Sequence, residues 1–597
     1  MSLLPVRDDD PKITRTAHAM LVPWGLFACQ IGLVQGLEEI PISQRTREYA
    51  PQSKLLEFLV AILGGCAYLQ DISCGPHPLD RDQAVAEAWG QSAWADYSGV
   101  SRTLQACTVD TVASVREVIE RVSRPFIDAE VVRALREQGM LVYDGDLTGR
   151  PVSNTSTTYP GAAFGWMDDA IRLGYQAALV SLHSPTYGRQ WVTVTPHPGD
   201  SVSSQQADAL VQAAEARTGV RPLRRTALLA GRIEQQRADL REVQGRRDGQ
   251  QTQLRVARRK MRAATEAWHQ ALAEVARLVE RDGPPKRALR PYSQLRKAQH
   301  TVAVCWQRLH RRAREIERAR QAVARQSEKG QHLQSTLLAL DARLAHFLDD
   351  NDRNRAPVQA VFRLDGGFGS GENLALLIEM GHEVYSKAWS AKVTGSLRKR
   401  VRAQTPWTRV GDNAEMVGWA GLKLDFCPYP LDVGLEPFYT GANERYATLV
   451  HYGTQAVTRD LAVWFTFYNG RQTIEAGVKE GKRVFEMHHL KVRSAAGLAI
   501  QEEFAVLAAN LVRWAMVWLY EQTSQAKAPF DQRRASVKQM VRVGANTTAL
   551  IFRQPEGNLL LRFDELSPYE GLELRIGRGS AFQAPLPLFR NDVFVPI

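Results

Sequence analysis

Cysteine is scarce in this 597-residue chain: the six present, Cys29, Cys66, Cys74, Cys107, Cys305 and Cys427, are scattered without a C-x2-C knuckle. That pattern excludes a paired zinc ribbon, gives Cys66, Cys74 and His77 no convincing zinc geometry, and reads as reduced core thiols of a cytosolic protein. An uninterrupted membrane span is also missing. The most apolar stretch, Leu498 to Tyr520, is broken by Asn510 and Arg513, so it reads as a core helix backing a sheet, and no membrane partner is expected. The start, Met1-Ser-Leu-Leu-Pro, lacks a charged region followed by an apolar run, so no signal peptide is expected. Gly366-Gly-Phe-Gly369-Ser-Gly371 lacks the Lys-Ser/Thr and the spacing of a nucleotide loop. Acids, finally, are outnumbered. With 64 Asp and Glu against 76 Lys and Arg, the net charge is +12 and the pI near 9.4, which favours polyanionic partners without identifying one.

The basic residues are concentrated. Arg224 to Arg325 contains Arg246-Arg247, Arg258-Arg259-Lys260 and Arg311-Arg312-Ala-Arg314. After a break at Gly219-Val-Arg-Pro222, helical patterns over 223–281 and 293–350 flank Gly283-Pro284-Pro285. Arms of nearly equal length about a breaker predict an antiparallel helical hairpin, placed at 206–355, each arm on the order of 85 Å long. Its stripe is thin (Leu240, Val243, Leu254, Met261, Leu272, Val275, Leu278), leaving basic outer faces for a spacer, a dimerisation arm or direct DNA contact.

Four polar side chains stand out further along. In Tyr468-Asn-Gly-Arg471-Gln-Thr-Ile-Glu475-Ala-Gly-Val-Lys-Glu-Gly-Lys482, spacings of three, four and seven predict one face of one helix. One acid among a phenol, a guanidinium and an ammonium suits a metal ligand surrounded by phosphate-holding groups. Two aspartates lie upstream at strand ends. Val358 to Leu364 alternates and delivers Asp365 to a glycine turn, and Met140-Leu-Val-Tyr ends in Asp144 and Asp146, which share a face because strand side chains repeat every second residue. Between them, Gly174–Leu182 and Gln190–Thr195 read as a hairpin, and His382–Lys387 as a later strand.

The run Y-x2-R-x3-E-x6-K resembles the signature around the last acid of DDE insertion-sequence transposases. Arg363-Leu-Asp365-Gly-Gly-Phe368 looks like that family's R-x-D-x-G-F box, and Asp146-Leu-Thr148 fits its D-x-T box. The resemblance implies an α/β fold: a ribonuclease H-like mixed-sheet catalytic core built from 138–205, 356–395 and 461–530, with an α-helical DNA-binding domain at 1–137. It further implies a β-rich insertion at 396–460, where Trp407 or Trp419 is either core or a platform for a flipped base; at 531–597 the residues themselves alternate and turn and read as a C-terminal β region. Asp146, Asp365 and Glu475 would be catalytic and hold Mg2+, with Mn2+ as a substitute; Asp144 is the alternative first acid. Tyr468, Arg471 and Lys482 would contact DNA. Magnesium prefers hard oxygen ligands, and two such ions can serve in-line displacement at phosphorus.

The expected activity is cleavage at terminal inverted repeats and strand transfer into target duplex, by a synaptic homodimer on a bacterial nucleoid in the cytoplasm. In the helical domain, the short segment Ser101-Arg102-Thr103 with Gln105 is a recognition helix or an ordinary connector, which makes Arg102 a candidate DNA contact. His488-His489 reads as a surface pair or a phosphate contact. Two other readings remain: a related nuclease without strand transfer, and an inactive DNA-binding descendant, against which the intact acids, Tyr468, Arg471 and Lys482 argue.

Overall fold

The computed structural model describes residues 13–577 apart from 46–47, 168, 284–289, 291–292, 441–442, 490–491, 523–535, 555–557, 565–568 and 570–572. The chain is mixed α/β and divides into two compact units, one of residues 1–223 and 353–597, the other Arg224–Asp352.

The first unit opens with strand β1 (Ile13–Thr16) and a helical region that ends in Val109–Gln138. Thr108 caps that 30-residue helix reciprocally with Thr111, and Gly139, at φ +72°, ends it. The chain passes straight into β2 (Leu141–Pro151), then β3 (Ala163–Met167), β4 (Ala170–Ser184) and β5 (Gly188–Pro198). Strands β6 (Ala360–Leu364) and β7 (Glu383–Lys387) follow the second unit. Among these, β2 runs antiparallel to β4 and β4 to β5, whereas β6 is parallel to β2 and β7 parallel to β6. All five residues of β6 are buried, as a central parallel strand covered on both faces requires.

The span expected as a β-rich insertion, 396–460, carries four strands. Strands β8 (Thr408–Gly411), β9 (Ala414–Leu422), β10 (Leu431–Thr440) and β11 (Asn443–Tyr452) continue the same sheet, because β11 pairs antiparallel with β7. The result is one ten-stranded mixed sheet. Strands β12 (Ala549–Arg553), β13 (Leu559–Phe563) and β14 (Glu573–Ile576) form a second sheet with β1, so part of the C-terminal β region is tied to the start of the chain. The rest of that region, from residue 578, lies outside the described residues.

Helix Ala495–Gln522 is apolar and long enough to cross a membrane, yet 83% of its most apolar window is buried. It is the spine of the core. Trp514 stacks on Phe126 at 4.1 Å, Trp518 meets Phe27 at 5.3 Å, and Phe504 meets Phe58 at 6.1 Å. The N-terminal helices therefore share one hydrophobic cluster with this helix and fall in the same compact unit. Asn510, which interrupts the apolar run, pairs its amide with both backbone groups of Trp191, each at 2.9 Å, where the β4–β5 register shifts. A bulge leaves backbone groups without ladder partners, and the side-chain amide supplies them.

Glu57 lies in helix Pro51–Leu63 at 0% exposure. Its Oε2 accepts from the Ala95 amide at 3.0 Å, and Oε1 has no partner. Burial pushes this carboxyl up to about 9, against the pull of that amide and of Lys54. Between pH 4.5 and 9 the folded protein keeps a proton that the unfolded chain has lost, so this group's stabilisation is complete at low pH and disappears as pH rises. Glu57→Gln is expected to raise the melting temperature at pH 8 and flatten its pH dependence between 5 and 9. Thermal unfolding across that range checks it, and a variant that melts lower at pH 8 contradicts a neutral Glu57.

The second unit is a pair of long helices, Thr226–Asp282 and Gln294–Arg353. Contacts step up one arm and down the other: Arg224 to Asp350 at 2.7 Å, Arg237 to Asp341 at 3.0 Å, Trp268 to Trp306 at 5.3 Å and Arg281 to Gln294 at 3.2 Å. The arms are antiparallel, as expected, and Pro284-Pro285 lies outside the described residues. The unit is shorter than 206–355, because helix Ala207–Thr218 ends at Gly219 (φ +69°) and belongs to the first unit. Its seam also differs from the expected stripe, of which only Val243 and Leu278 are buried. Ala257, Ala264, Ala271 and Leu278 recur every seven residues and are buried, a heptad whose small side chains let the helices approach closely.

Candidate active site

Parallel pairing of β2 with β6 sets Asp144 directly beside Arg363 in register. The guanidinium grips the carboxylate with two bonds of 2.7 Å and donates a third, at 2.8 Å, to the Phe467 carbonyl. Both side chains are almost fully buried, so Asp144 is occupied by a structural pair. Two residues on, Asp146 lines a cleft of about 980 Å³ together with Asp365, Glu475 and Lys482. An acid from the middle of β2, not its end as expected, the acid after β6 and the acid of the signature helix thus line one cleft.

The signature itself is broken. Tyr468 belongs to helix Leu461–Asn469 and Glu475 to helix Gln472–Arg483. The backbone stays right-handed through Gly470 and Arg471 but tightens, with Arg471 N donating to Tyr468 O at 3.0 Å and Ile474 N to Arg471 O at 2.8 Å. One continuous helix face is therefore the wrong picture. Tyr468 turns inward, 3% exposed, and its hydroxyl donates to the Leu364 carbonyl at 3.3 Å. Burial pushes its phenol up to about 12. In this position it braces β6.

Arg471 donates to Glu475 at 2.7 Å. Burial works against its charge, but Tyr468, Asp146, Asp365 and Glu475 around it raise its pKa overall. Asp146 is pushed up to about 7, first by burial and then by the Asp365 carboxylate, with Arg471 opposing. Asp365 is also raised, mainly by burial, against Arg471 and the amides of Phe368 and Gly367. Its Oδ1 is buried without a hydrogen-bond partner. Several like charges sharing one guanidinium, with an orphaned carboxylate oxygen among them, are short of positive charge. Hard-oxygen donors in that condition fit a divalent cation such as Mg2+.

The three acids do not form a closed cage. Among the described residues, the group of three whose ligand atoms all lie within 4.8 Å is Glu486 with the pair His488-His489. His489 Nδ1 is 2.8 Å from Glu486 and His488 Nδ1 3.6 Å.

Residues that sequence reasoning did not single out position this site. Glu480, on the outer turn of the signature helix, accepts from Arg513 at 2.8 and 3.0 Å and lies 3.7 Å from Arg189 of β5, fastening the helix to the core. Gly369 and Gly371, after Asp365, sit where any Cβ would strike the backbone of Lys387 and of Phe426; the glycines serve close packing. Phe164, Trp166 and Trp389 line the cleft at 56%, 67% and 69% exposure. Trp407 and Trp419 do not line it. Arg102 is also elsewhere, lining a separate cavity in the helical region. An alternating pattern around Phe164 and Trp166 marks a strand, but only the tertiary structure shows which face looks into a cleft.

Compared with family models and with curated proteins, the chain matches none.

Proposed function

We propose that the chain is a DDE-type DNA transposase with a ribonuclease H-like core. The observation that carries this reading is the meeting of Asp146, Asp365, Glu475 and Lys482 in one cleft, from three segments that resemble the family's boxes in the family's order. Strand order supports it: taken in chain order, the five strands β2, β4, β5, β6 and β7 lie as 3-2-1-4-5, antiparallel among the first three and parallel thereafter.

Asp146, Asp365 and Glu475 would hold Mg2+, with Mn2+ as a substitute, and the bound ions would activate an attacking oxygen and neutralise the leaving one at phosphorus. Arg471, bonded to Glu475 at 2.7 Å, would hold that carboxylate in place. Lys482 gives the cleft a second cation for the DNA backbone. Phe164, Trp166 and Trp389 offer exposed ring faces on which bases stack. Asp144, committed to Arg363, is the weaker candidate for first acid. Two ends must be joined, so the working form is a synaptic homodimer, acting on nucleoid DNA in a bacterial cytoplasm.

The test is incubation of the full chain with duplex DNA carrying the element's own ends in magnesium. Cut ends followed by joined products are expected. Cutting without joining would make the chain a nuclease, and binding without cutting in magnesium or manganese would make it a DNA-binding protein.

A further inference from the structure

A second cavity, of about 760 Å³, opens in the helical region among Arg45, Lys54, Arg81 and Arg102. Three elements build it. Lys54 comes from helix Pro51–Leu63, Arg81 from the short turn Leu79–Arg81, and Arg102 from helix Tyr97–Ala106, whose N-terminus Asp96 caps by accepting from the Gly99 amide at 2.8 Å. Four cationic side chains aimed at one volume repel each other. A fold keeps such a cluster only where something negative offsets it.

The acids lining the cavity, Glu48, Asp80 and Asp96, number three against its four cations. Glu57 behind it is neutral at pH 7. Asp96 caps its helix and accepts from Ser98 at 2.7 Å, and it offsets part of the charge of Arg102 and Lys54. The Lys54 side chain is 8% exposed and has no hydrogen bond or ion pair among the described residues; burial and the nearby Arg102 lower its pKa against the pull of Asp96 and Glu57. Two further groups at the cavity are buried and unsatisfied, Nε1 of Trp94 and Oδ1 of Asp80. Buried polar atoms nearly always have partners. An unpaired ammonium, an orphaned donor and an orphaned acceptor at one cavity together describe a missing ligand that is anionic and also polar.

We propose that this cavity is a nucleotide-phosphate site, with Lys54 and Arg102 on the phosphoryl oxygens and Trp94 and Asp80 on the attached nucleoside. The phosphate belongs either to a DNA backbone or to a free nucleotide, and the shared chemistry is the same. The charge and the orphaned atoms stand apart from the transposase reading, which bears only on DNA as the source.

The experiment measures binding without divalent metal, so that loss of cleavage cannot be mistaken for loss of this site. In one arm, fluorescence anisotropy follows a labelled duplex from 50 to 200 mM salt for wild type, Lys54→Gln and Arg102→Gln. In the other, calorimetry follows ATP and inorganic pyrophosphate. A backbone phosphate predicts weaker binding to every duplex sequence and a salt slope shallower by about 0.9 for each lost contact. A free nucleotide predicts calorimetric binding that both variants lose, with the salt slope unchanged. Either result supports the site. Unchanged duplex binding together with no small-ligand binding overturns it. Arg102 is exposed, so Arg102→Gln decides the matter even if Lys54→Gln does not fold.

Discussion

Replacing Asp365 by asparagine is expected to lower magnesium-dependent DNA cleavage by at least about a thousandfold, roughly 4 kcal/mol of transition-state stabilisation. Glu475→Gln and Asp146→Asn should do the same, because each removes a hard anionic oxygen from a site whose chemistry would depend on positioned cations. DNA binding should stay within about twofold of wild type, since none of these substitutions removes a cation. Stability supplies a control that a merely structural role would not reproduce. Asp146 and Asp365 are raised in pKa by burial, and Asp365 adds to the rise at Asp146; neutralising Asp365 relieves repulsion in metal-free protein. The metal-free Asp365→Asn variant should therefore melt no lower than wild type, and magnesium should raise the melting temperature of wild type more than that of the variant. Cleavage within tenfold of wild type in two of the three variants would sink the acid-triad reading.

Arg363→Ala is expected to cost about 3–5 kcal/mol of folding stability, read by denaturant unfolding. Burial raises the pKa of Asp144, and Arg363 is the largest opposing influence. Without the guanidinium, Asp144 becomes an unpaired buried acid, and the Phe467 carbonyl loses the donor that ties helix Leu461–Asn469 to β6. The double variant Asp144→Asn/Arg363→Met should recover part of the loss, because removing both partners costs less than removing one. The same residues separate the two candidate first acids. Folded Asp144→Asn protein should keep metal-dependent cleavage, whereas Asp146→Asn should not. A stability loss below 1 kcal/mol in Arg363→Ala would show that the pair is not what holds β2 and β6 in register.

Much of the site was legible because each acid lies beside a local pattern. The apolar alternation before Asp146 and Asp365 marks strands, although β2 runs on past Asp146 to Pro151, and the polar spacing after Tyr468 marks helix. The tightening at Gly470 was not legible. Its backbone remains right-handed, so residue spacing barely changes while the hydrogen bonds shift from i+4 to i+3. The hairpin's arms were legible from charge and length, but its seam was sought in large apolar residues; alanines hold it because two helices packed closely leave no room for more.

The sequence by itself determined the order of elements, the three acids, the cationic excess and the antiparallel arms, since periodicity, turn chemistry and charge are properties of neighbours in the chain. Only the tertiary structure decided that β11 joins β7 and makes the insertion part of the sheet, and that Asp144 belongs to Arg363 while Asp146 faces the cleft. It also decided that Tyr468 turns inward and that Lys54, Arg81 and Arg102 surround one cavity. These outcomes depend on which distant groups are brought close enough to satisfy a buried charge or donor, and chain spacing does not encode that distance.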